Sequence, residues 1–68
     1  MKYFTVTSKD PGKLLVAIDD AENISSVASW ALTNVTSAFF LTEVTAVEAR
    51  ALGFNSAVYA SNGDKFKL

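Results

Sequence analysis

Lys13-Leu14-Leu15-Val16-Ala17-Ile18, followed at once by Asp19-Asp20-Ala21-Glu22, is the stretch on which the fold turns. An unbroken apolar run of this length reads as a strand. Successive side chains of a strand point to opposite faces, so Leu14, Val16 and Ile18 face one way while Leu15 and Ala17 face the other. A sheet holding such a strand has to be covered on both sides. The acidic residues that follow read as a helix start. Asp19 is placed to accept from the free amides of a first turn, and Glu22, three residues on, to reach back as in a capping box.

Working back towards the N-terminus, residues 2–8 alternate, with Phe4 and Val6 on one face and Tyr3, Thr5 and Thr7 on the other. That pattern is a half-buried strand. Lys9-Asp10-Pro11-Gly12 joins it to the apolar run as a turn, which predicts a β-hairpin.

Working forward, Ile24, Val27, Ala28, Ala31, Leu32 and Val35 share one stripe at helical spacing, with Ser25, Ser26, Ser29 and Thr33 opposite. The helix is expected to run to about Thr33 and to end near Asn34, a residue that tolerates left-handed φ. From Val35 to Val44 the period changes to two, and β-branched and aromatic residues dominate, so a strand is predicted there. Its Phe39 and Leu41 oppose Phe40, giving a second two-sided strand. Thr45-Ala46-Val47-Glu48 is another capping box, and Gly53 before Phe54 is a left-handed C-cap, bounding a helix over Ala46 to Leu52. Ala57 to Ala60 and Lys65 to Leu68 are short strands around the turn dipeptide Asn62-Gly63. The predicted order is β-β-α-β-α-β-β: a small α+β single domain over residues 1–68, with one mixed sheet and both helices packed mainly on one face.

The chain has 68 residues, is 50% hydrophobic and 19% charged, and has a formal net charge of −1. A domain of that size buries only about 60% of the surface its unfolded chain exposes. With neither Cys nor His, it has no disulfide, no conventional zinc site and no nucleophile–histidine pair. The composition is too apolar for disorder and too neutral for a dedicated polyanion binder. No residue between Glu22 and Glu43 is charged, but the Ser and Thr spread through that span and its change of period argue against a membrane helix. No signal peptide is apparent, so a cytoplasmic protein is expected.

Chemistry finds little foothold. Asp19, Asp20 and Glu22 are the only carboxylate cluster, and helix capping accounts for them without a metal. The glycines stand singly, and no Ser sits in a nucleophile elbow. No catalytic residue, cofactor or metal is expected, and no motif specific to one family is present.

Surface is the more informative feature. With both helices on one face, the other exposes Leu15, Phe40 and Tyr3 or Tyr59. An apolar patch of that kind marks an interaction surface, and burying its Leu and Phe against a partner is worth roughly 3–6 kcal/mol. If the helices divide between the faces, the monomer closes and that argument lapses. Trp30 lies off the buried helical stripe. It either folds over the helix edge to widen the core contact or serves as an interface anchor.

The expected function is therefore a non-enzymatic interaction module. It would self-associate as a homodimer or higher oligomer, or dock on and inhibit a larger protein, as bacterial and bacteriophage accessory proteins do. The first alternative is nucleic-acid binding, in which paired terminal strands gather Lys2, Lys65 and Lys67 beside Tyr3 as a stacking platform. Alternating Lys on an edge strand is also an ordinary guard against aggregation. A structural subunit of a particle or filament is the second alternative.

Overall fold

The turn at Lys9 to Gly12 folds the first two strands into a hairpin: Ser8 N–H donates to Gly12 O at 3.1 Å, and Gly12 takes a φ of +109°. Only glycine adopts that φ without strain. From this hairpin a computed structural model describes the whole chain, residues 1–68. The elements are β1 (Lys2–Ser8), β2 (Lys13–Ile18), α1 (Ile24–Asn34), β3 (Phe39–Val44), α2 (Ala46–Ala51), β4 (Ser56–Tyr59) and β5 (Lys65–Lys67). The α+β class, the element order and the single mixed sheet are those read from the sequence. No helix is long and apolar enough to cross a membrane.

The five strands lie in the order β3-β1-β2-β4-β5. β1 is antiparallel to both β2 and β3, β2 runs parallel to β4, and β4 is antiparallel to β5. It follows that β2, β3 and β4 all point the same way. The α1 connection leads from β2 leftwards past β1 to β3; the α2 connection returns rightwards from β3 to β4. Connections between parallel strands are right-handed in nearly all proteins, so opposite directions of travel place their helices on opposite faces.

That corrects the expectation of two helices on one face. On the α1 side, Val27, Ala31 and Val35 pack on Phe4, Val6, Val16 and Ile18. On the α2 side, Ala49 packs on Leu15, Ala17 and Ala57, with Tyr3, Val44, Phe54, Phe66 and Leu68 around them. Leu15, expected on an open face, is only 3% exposed. The two-sided character of β2 is therefore met inside one subunit.

Three local expectations also change. α1 begins at Ile24 with Asn23 as its cap, whose side chain accepts from Ser25 N–H at 3.0 Å. Asp19 is not the cap. The Asp19–Glu22 pair instead closes a separate turn, with Glu22 N–H on Asp19 O and Asp19 N–H on the Glu22 carboxylate. Asn34 ends the helix without left-handed φ, its side chain donating to Trp30 O at 2.8 Å. β3 begins at Phe39 rather than Val35, because residues 35–38 form a loop whose Ser37 hydroxyl donates to Asp10 O and ties it to the β1–β2 turn.

The stripe of α1 is turned as well. Ile24 is 49% and Leu32 75% exposed, whereas Trp30 packs half-buried against the core. An indole buries more apolar area than a leucine side chain, and the helix is rolled towards Trp30 at the expense of the opposite flank.

α2 has the ends its sequence specifies. Thr45 accepts from Glu48 N–H at 3.1 Å while the Glu48 carboxylate accepts from Thr45 N–H at 2.9 Å. At the far end, Gly53 N–H donates to Arg50 O and Phe54 N–H to Ala49 O, with Gly53 at φ +98°. This is the Schellman arrangement, and it sends Phe54 down onto the Leu15 side of the sheet.

Candidate interaction surface

A five-stranded sheet is roughly 20 Å across, and a helix is about 10 Å in diameter. One helix per face cannot roof all of it. α1 lies over β1, β2 and β3 and leaves the β4–β5 end of its face to Lys65 and Lys67. α2 covers the middle of the other face and leaves the β3 corner open. At that corner stand Phe40 and Thr42, both exposed, beside half-buried Thr7 and exposed Lys13. Phe40 is 78% exposed, the most exposed of the large apolar residues.

The residues singled out in the sequence part company here. Phe40 is at the surface and Leu15 is sealed. Tyr3 packs half-buried against the Leu15 cluster. Tyr59 is also half-buried, edge-to-face on Phe66 at 6.1 Å between ring centroids. Its hydroxyl donates to the Asp19 carboxylate, and this bond, with burial and the negative charge of Asp19, pushes the phenol up to about 12.

The three clustered carboxylates share no partner. Asp19 accepts from Tyr59; Glu22 accepts from Asp19 N–H and from the Ser26 hydroxyl; Asp20 pairs with the Met1 ammonium at 2.8 Å, which holds its carboxyl below the usual value. No three acidic side chains converge as metal ligands would.

The lysine constellation is not assembled. β1 and β5 do not pair, since β2 and β4 lie between them. Lys2 Nζ donates to Glu22 O at 2.9 Å, while Lys65 and Lys67 are exposed on the edge strand. Tyr3 faces the side of the sheet opposite to all three lysines, as the register of β1, β2, β4 and β5 requires.

No family model, curated protein or solved structure matches this chain.

Two exposed apolar residues escaped the sequence reading. Val47, on α2, is 73% exposed, and Leu52, the residue that follows the helix, is 53% exposed. The signal lay in the length of the helix: with six residues it buries one small residue, Ala49, and leaves Val47 on its outer side exposed.

Proposed function

We propose that this protein is a non-enzymatic interaction module whose contact region is the β3 side of the sheet. The observation that carries the reading is Phe40, an aromatic ring left 78% exposed at the one corner of the α2 face that no element of the chain covers. An exposed aromatic beside Thr7, Thr42 and Lys13 has the character of an interface: an apolar anchor with a polar rim. Leu15 contributes nothing to this surface, so the contact region is smaller than a whole sheet face and stops short of making a companion obligatory.

Affinity capture from the native host tests the reading, with the wild-type protein and a Phe40→Ser variant used side by side and each repeated after nuclease. A protein retained by the wild type and lost by the variant supports it. Equal capture by both, or capture abolished by nuclease, overturns it.

A further inference from the structure

The two edges of the sheet are built differently. β5 is three residues long, with Lys65 and Lys67 flanking Phe66, so its exposed edge is short and charged. β3 is six residues long, Phe-Phe-Leu-Thr-Glu-Val, with one charge, no proline and no lysine. An uncovered edge of that kind is a template for pairing with another strand.

The direction of its backbone groups follows from bonds at two other places. Ser8 N–H points at β2, because it donates to Gly12 O, and Ala17 O points away from β1, because it accepts from Ala60 N–H. Alternation along β1 then turns Tyr3, Thr5 and Thr7 towards β3, where they face Val44, Thr42 and Phe40. The N–H and C=O groups of Phe39, Leu41 and Glu43 consequently point outwards, and no turn, loop or cap of the chain bonds to them.

We infer that these groups are met by the β3 strand of a second copy of this chain, paired antiparallel about a twofold axis midway between the two Leu41 residues. The inference rests on the interaction reading above and names the partner for the same corner. Three constraints select the occupant and the register. Around that axis an antiparallel pair keeps each face of one sheet continuous with the same face of the other. Leu41 then lies opposite Leu41 of the second copy, and Phe39 opposite its Glu43. All three outward-pointing residues become hydrogen-bonded pairs, each exchanging two bonds for about six in total. On the α2 face the two Phe40 rings become diagonal neighbours, about 7–8 Å apart at Cα and within aromatic reach. Charge narrows the choice further. This register keeps the two Glu43 carboxylates four residues apart along the joint, roughly 13 Å, beyond the Debye length of about 8 Å in physiological salt. Sliding by one pairing step towards Val44 makes them diagonal neighbours.

Amide hydrogen exchange, read residue by residue beside sedimentation over a wide concentration range, tests the pairing. The Leu41 amide is expected to exchange at least about tenfold more slowly in the concentrated, dimeric sample than in the dilute one. The amides of Phe40, Thr42 and Val44, already bonded to β1, should not change. Glu43→Pro removes an outward N–H without breaking a bond to β1 and is expected to weaken dimerisation at least about tenfold. Phe40→Lys, which sets two cations near each other across the joint, should do the same if the proline variant fails to fold. A chain that sediments as a monomer throughout overturns self-pairing, while capture of a different protein through Phe40 would still uphold the interaction reading. A dimer whose Leu41 amide gains no protection, or one that Glu43→Pro leaves intact, overturns the edge joint.

Discussion

The two faces of the sheet are closed by unequal means. Over one lies α1, eleven residues long, which brings Val27 and Ala31 to full burial and adds Trp30 at its flank. Over the other lies α2, six residues long, which offers the sheet one fully buried alanine, Ala49. Both faces nevertheless seal their central strand, because Phe54, Phe66 and Leu68 gather around Leu15 where α2 alone is too short. The difference teaches that a short helix can close the middle of a sheet but not its margin. The margin it misses is the corner that carries Phe40.

If the faces are equally sealed at the centre, equal truncations should cost alike. Ile18→Ala beneath α1 and Leu15→Ala beneath α2 are each expected to lose about 2–5 kcal/mol in urea denaturation. A domain of this size has on the order of 3–10 kcal/mol in total, so either variant approaches unfolding at room temperature. A Leu15→Ala cost below about 1 kcal/mol would break the comparison and leave the α2 face effectively open.

A substitution at the helix itself sharpens it. Ala49→Leu has no space to enter, since Ala49 is fully buried between α2 and the sheet. Overpacking of this kind is expected to cost about 1–3 kcal/mol, whereas Val47→Ser, on the outer side of the same helix, should stay within about 0.5 kcal/mol.

Removing each cap compares the helices one at a time. Thr45→Ala and Asn23→Ala should each cost about 1 kcal/mol. Hydrogen exchange should show the Thr45 variant loosening the short helix and the Asn23 variant loosening the long one.

The smallest effect concerns the Tyr59–Asp19 bond, which joins β4 to the turn after β2. The phenol is raised from 10.0 to about 12, so the folded state keeps a proton that the unfolded chain releases above pH 10. Stability from this source is fully present below pH 10 and is lost as pH rises towards 12. Tyr59→Phe should flatten that alkaline decline, as seen by comparing denaturation at neutral and alkaline pH. An unchanged decline would show that the bond is not formed in solution.

Much of this fold was legible because its signals are local. The hairpin turn at Pro11-Gly12, the Thr45–Glu48 box and the Gly53-Phe54 stop all appear where their residues require them, since each needs only neighbours in sequence. The first helix starts later than Asp19 for a nonlocal reason. Asp19 and Asn23 are both good caps, but Asp19 is engaged by Tyr59, forty positions along the chain, and Glu22 closes the turn behind it. Asn23 is left to cap the helix. The same limit applies to the candidate site. Phe40 was visible as the odd partner of Phe39 and Leu41, but its exposure, unlike that of Leu15, depends on where α2 crosses the sheet.

The amino-acid pattern by itself determined the seven elements, their order and the requirement that β2 be covered on both faces. Periods of two and of about 3.6 residues fix the direction of each side chain relative to its own backbone. Tertiary structure alone decided that β1 lies between β2 and β3, and that decision settled the rest. Once the chain must travel one way across the sheet to reach β3 and the other way to reach β4, the handedness of parallel connections sends α1 and α2 to opposite sides. Periodicity along one element cannot encode that choice, because it concerns the order of neighbours rather than the direction of side chains.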